Sequence, residues 1–88
     1  MGHKPMNELA DEIATFKDRI DIPGTYVHYK DDTKTYTTRK FVIIEATEEV
    51  GIEYQANYGP HLTFVRPVKE WLDMVEHNGK SVPRFRKA

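Results

Sequence analysis

Residues 64–85 read FVRPVKEWLDMVEHNGKSVPRF, and their order of turn signals decides how the chain is folded. Phe64 and Val65 end an apolar stretch. Arg66 is held extended by the proline after it, and Pro67 suits the first position of a short helical turn running through Trp71 or Leu72. Asn78-Gly79 then marks a two-residue hairpin, because both central positions of a type I′ turn need positive φ and these two residues tolerate it best. Met74 to His77 and Lys80 to Val82 are the expected arms.

Working upstream, Ile52, Tyr54, Ala56 and Tyr58 alternate with Glu53, Gln55 and Asn57, the pattern of an antiparallel strand with one face on the core and one in water. Phe41 to Ile44 is a continuous apolar run rich in β-branched residues, which predicts a central strand covered on both faces. Thr25 to Lys30 makes a shorter strand, joined to it by a polar hairpin containing Asp31 and Asp32, with Thr35 to Thr38 extending the second arm. Leu62 to Val65 makes another. Five or six short antiparallel strands cannot all bury a face in a flat sheet of this size, so the expected class is mainly β, a small SH3-like barrel or roll.

Ahead of it, Leu9, Ile13, Phe16 and Ile20 recur at helical spacing and predict an amphipathic helix over 7–20, capped by Asn7 and stopped at Pro23-Gly24. The division is therefore an N-terminal helix and lead-in at 1–23 and the β-domain at 24–88. The helix either covers an open end of its own barrel, leaving a monomer, or supports a weak homodimer.

The 88 residues form one small domain, burying only about 60% of the surface of the unfolded chain, which leaves little margin of stability, and a deep enzyme cavity would consume it. With no cysteine there is no disulfide framework and no thiolate nucleophile, and the expected compartment is the cytoplasm. No apolar run reaches the roughly 18 residues of a spanning helix, so no membrane partner is expected. The Met1-Gly2 start lacks the Ser or Thr of a myristoylation signal at position 6. A net charge of −1 disfavours a general polyanion binder, although Glu45, Glu48, Glu49 and Glu53 crowd the middle and Arg84, Arg86 and Lys87 lie together near the end.

His3, His28, His61 and His77 are scattered at no recognised ligand spacing, so neither a metal nor another cofactor is expected. Removal of Met1 would leave Gly2-His3-Lys4, whose nitrogens suit square-planar Cu(II) whatever the fold that follows. Ser81 has no glycine-rich elbow beside it, and no catalytic residue is assigned. The candidate ligand contacts are His28, Lys30, Tyr58, Arg66 and Arg84. Tyr26 and His28 share one strand face, with the choice of inner face open, and Arg66 presents a planar guanidinium suited to a carboxylate or phosphate, unless it tethers the corner instead. Trp71, Phe64 and Phe85 make either an aromatic groove or core. Lys30, Arg66, Arg84, Arg86 and Lys87 near tyrosines would supply phosphate contacts and stacking.

The order Val65, Arg66, Pro67, Trp71, Val75, Asn78, Gly79, Lys80, Val82, Pro83, Arg84, Phe85, with Gly24, Tyr26, His28, Tyr29 and Lys30 before it and Tyr54, Tyr58 and Gly59 between, resembles the bacterial domain-of-unknown-function family 1653 over residues 24–85. The resemblance implies the same small barrel and no assigned activity. Where that family usually carries Ala-Arg-His followed by Ser or Thr and Glu, this chain has Ala46, Thr47, Glu48 and Glu49, which leaves Glu48 as the nearest counterpart. The expected function is a non-catalytic binding module for an anionic ligand, peptide or nucleic acid, with a protein or nucleic-acid partner. The alternative is an accessory subunit or small enzyme using His28 with Glu45 or Glu53 for proton transfer.

Overall fold

The structure is a computed structural model that describes residues 4–88, so the Met1-Gly2 start and the Gly2-His3 copper motif lie outside the described residues. Its elements, in chain order, are α1 (Met6–Phe16), β1 (Thr25–His28), β2 (Asp31–Ile44), β3 (Glu49–Ala56), β4 (Thr63–Pro67), α2 (Val68–Trp71), β5 (Met74–His77), β6 (Lys80–Pro83) and β7 (Phe85–Lys87). The mainly β class holds. Five antiparallel strands pair in the order β4-β3-β2-β1-β7, and β5 and β6 form a separate hairpin.

The ladder does not close, yet the sheet rolls. In a flat sheet, the edge strands β4 and β7 would stand about 19 Å apart across four strand spacings. Instead the Arg66 guanidinium of β4 lies 5.7 Å from the centre of the Phe85 ring of β7. Curling of this degree brings the inner faces of both edges together, and a β-bulge in β2 between Thr38 and Lys40 supplies a bend. The inner face carries Tyr26, Val50, Ile52 and Tyr54, joined by Ile20, Val68, Trp71 and Phe85 in one buried cluster. Trp71, from the one-turn α2, is 2% exposed and stacks on Phe85 with ring centres 3.8 Å apart and planes 5° from parallel. Tyr26 and Tyr54 meet its edge.

The alternation in β3 is as expected at Ile52, Tyr54 and Ala56, all buried, while Tyr58 falls beyond the strand. Asn78 and Gly79 have φ of 52° and 77°, the left-handed pair that the hairpin requires. Several boundaries differ. The helix starts at Met6 after Pro5 and ends at Phe16; Asn7 is therefore inside it and caps nothing, since Pro5, with φ fixed near the helical value, occupies the cap position without a side-chain bond. Ile20 lies beyond the helix end but is still buried at 2%, and Leu9, Ile13 and Phe16 pack against the core cluster.

Asp31 is not in a loop but is the first residue of β2, with Tyr29 and Lys30 forming the turn. Phe41 to Ile44 is not covered on both faces. On the inner face Ile43, opposite Val50, is 41% exposed, and on the outer face Val42 and Ile44 lie over Gly51, where an added Cβ would meet Ile44 at 3.0 Å and Val42 at 3.2 Å. This outer-face apolar patch thus covers a position that has no side chain of its own. β4 runs to Pro67, which precedes α2 rather than opening it. The seventh strand, β7, was not expected from the pattern.

Thr38, fully buried, donates its hydroxyl to the Asp21 or Gly24 carbonyl, and the Tyr26 hydroxyl accepts from the Asp21 amide at 3.0 Å. These bonds tie the helix lead-in to the sheet. Among the described residues, no helix is long and apolar enough to cross a membrane.

Candidate functional site

The register decides which side chains meet. Directly paired residues point to the same face, so Arg66 opposite Ile52, Phe64 opposite Tyr54, and Phe85 opposite His28 all project to the inner side of the roll. This settles the open question in β1: Tyr26 and His28 face inward. Where the roll opens, His28, Tyr36, Tyr54, Phe64, Arg66 and Phe85 line a cleft of about 240 Å³. Five rings and one guanidinium make its wall. His28 and Tyr36 both pack edge-on against Phe85, at 5.0 and 6.1 Å, and Tyr54 stacks on Phe64 at 5.7 Å. Trp71 lies beneath as core, so of the three aromatics considered for a groove, Phe64 and Phe85 reach the cleft and Trp71 supports them.

Arg66 is the charged group of this cleft, with a side chain 29% exposed. Its Nη1 reaches Glu70 at 3.4 Å, a long contact to a carboxylate that is itself 54% exposed. Its Nε is buried and has no hydrogen-bond partner. A buried donor left unpaired costs about 1–3 kcal/mol, more than the exposed ion pair returns.

His28 is held below its ordinary pKa of 6.5, first by burial and then by the positive charges of Arg66, Lys30 and Arg84. At neutral pH it is uncharged. Its Nδ1 accepts the Lys30 amide at 3.3 Å, which leaves Nε2 to carry the proton and act as a donor. No carboxylate contributes to its shift. Glu53, opposite Lys40 and Val65, is on the outer face, and Glu45 follows the far end of β2; neither is brought to His28.

The other candidate residues stand outside the cleft wall. Tyr58 joins it through Tyr36, their hydroxyls 2.7 Å apart, and burial with this bond pushes the Tyr36 phenol up to about 12. Gly59 beside it has φ 55° with nothing within 4 Å of an added Cβ, so it is needed for the turn and not for a close backbone approach. Lys30 lies over the Tyr29 ring at 5.9 Å. Arg84 is a tether: its Nε donates to the Glu70 carbonyl at 3.1 Å. Of the nearby cations, Lys87 bonds Asp21, and Arg86 makes only an exposed 3.8 Å pair with Asp32. Tyr36 and Tyr54 were missed as cleft residues. The signal for Tyr54 was its alternation, which marked it as inward, but only the curl of the sheet exposes part of that inner face.

This rolled sheet with its α2 plug and short hairpin defines a mainly β domain of the kind the resemblance implied. The chain belongs to the family described as a protein of unknown function, DUF1653, whose model matches residues 24–87. The fold is similar to the crystal structure of a protein of that family from Bordetella bronchiseptica, with 25% sequence identity and a TM-score of 0.67, over 80% of this chain and 90% of that one. Comparison with curated proteins finds no match.

Proposed function

We propose that this chain is a non-catalytic binding module whose cleft takes a small anionic group attached to a flat or apolar body. The observation that carries this reading is the Arg66 guanidinium, with its buried, unpartnered Nε, set against a wall of aromatic rings. Aromatic walls alone would suit a cation, but Arg66 already places its positive charge against Phe85 and repels a second. An anion would take the guanidinium edge and the Nε2 proton of His28, while its apolar part would lie on Tyr54 and Phe64. Proton-transfer chemistry has less support, because Asp31, paired with His28 across the hairpin, has its carboxylate bonded to Thr33 and Lys34 and does not enter the His28 shift. A long nucleic acid also has less support, since the net charge is −1 and Arg84 and Lys87 are bonded within the domain. The cytoplasm is the proposed compartment, in keeping with a chain that has no cysteine.

Titration with benzoate, followed by NMR, tests the reading. Shifts concentrated at the Arg66 Nε–H and the Tyr36 and Tyr54 rings, absent with benzamide, are expected. Equal shifts with the neutral and the anionic compound would sink it.

A further inference from the structure

The cleft opens beside β4, an edge of the five-stranded sheet. The Ala56 amide donates to the Leu62 carbonyl at 2.9 Å, and in an antiparallel ladder the bonded residues alternate, so Phe64 and Arg66 turn their backbone polar groups to β3. Thr63 and Val65 turn theirs outward. Edge strands are normally blunted by inward charges, prolines or bulges, yet Leu62, Phe64 and Val65 are 56%, 40% and 52% exposed and no charged residue interrupts 62–65. Protection begins only at Arg66-Pro67. The unguarded stretch and the two cleft residues therefore belong to one strand, with Phe64 and Arg66 two positions apart on its inner face.

We infer that the free edge of β4 receives an extended peptide by antiparallel strand addition, reading the order acidic, any, apolar, any from N to C. The acidic side chain meets Arg66 and the apolar one lies beside Phe64. The ligand residues opposite Val65 and Thr63 exchange backbone hydrogen bonds with them, which supplies affinity, while the inner-face pair supplies selectivity. Charge complementarity selects the acid: Arg66, Lys30 and Arg84 set a positive field at His28, and the nearby Glu70 makes only the long contact to Arg66. An antiparallel partner continues the pattern of every pair in the sheet. This inference rests on the cleft reading above.

The test uses the unaltered protein and three blocked pentapeptides: Thr-Asp-Thr-Leu-Thr, the same peptide N-methylated at the threonines following Asp and Leu, and the reversed order Thr-Leu-Thr-Asp-Thr. Benzoate is titrated alongside. The first peptide should shift the Thr63 and Val65 amides and bind at least about tenfold tighter than the N-methylated one, which lacks two backbone donors, and more tightly than the reversed one, which sets Leu opposite Arg66 and Asp opposite Phe64. If benzoate binds and the N-methylated peptide equals its parent, strand addition is wrong and the cleft reading stands. If neither benzoate nor any peptide binds, the cleft reading itself fails and this inference with it. Sedimentation showing a concentration-dependent dimer with protected Thr63 and Val65 amides would assign the edge to a second copy and overturn the peptide.

Discussion

Replacing Arg66 by Met should raise the stability of this domain. The substitution keeps an unbranched stem over Phe85 and a polarizable sulfur near an aromatic ring, an arrangement worth about 0.3–1.5 kcal/mol. It removes the buried Nε that lacks a partner, relieving about 1–3 kcal/mol. Against this stand the 3.4 Å contact to the half-exposed Glu70, worth at most about 0.5 kcal/mol, and the cation–π contact to Phe85, about 0.5–1 kcal/mol. The balance is a gain of about 1–2 kcal/mol, and each kcal/mol raises Tm by roughly 4–8 °C for a domain of this size. Circular dichroism melts, with urea denaturation as a second measure, read it directly. Arg84→Met is the control: its Nε bond to the Glu70 carbonyl is well made, and its loss should lower stability by about 1 kcal/mol. If Arg66→Met destabilises as much as Arg84→Met, Arg66 is a structural tether and its unpaired donor says nothing about a ligand.

Phe16→Ala should cost roughly 2–3 kcal/mol, below the full core value because Phe16 is only partly buried, and the melting temperature should not change with protein concentration if the helix serves its own sheet. His28 should titrate below 6.5 by NMR. Because the unfolded chain then binds the proton more tightly, the His28 contribution to stability is whole above pH 6.5 and declines as pH falls from there to the folded-state pKa; a midpoint at or above 6.5 would contradict the burial and cation effects described. Gly79→Ala should cost about 1–2 kcal/mol from its φ of 77° alone, since an added Cβ meets nothing within 4 Å, and a neutral result in a urea melt would show that the hairpin turn relaxes freely.

What could be read from the sequence was local. Asn78-Gly79 states its own turn, and Ile52, Tyr54 and Ala56 show their inner face through period two. β7 was hidden because Phe85-Arg86-Lys87 is too short to display alternation and becomes a strand only by pairing with Val27 and its neighbours far upstream. The start of β2 reads as a hairpin loop because Asp31 to Lys34 is polar and rich in turn residues, although pairing of Asp31 with His28 makes it part of one 14-residue strand. His28 and Arg66 were found from their chemistry. The part of Tyr36 and Tyr54 beside them depends on the curl that brings β4 to β7, and no short-range pattern encodes that.

The pairing of Tyr26 with Lys87 also governs the time course of folding. It closes a loop of roughly sixty residues, an entropic cost that must be met before the contact returns anything. Until then Trp71 lacks Phe85, its stacking partner, and β1 keeps one side open. During synthesis the hairpins of β1 to β4 can form as they emerge, but the core is sealed only when residues 85–87 arrive. Such long-range closure is slow compared with the hairpins, and until it happens the nascent chain keeps its inner face open to mispairing.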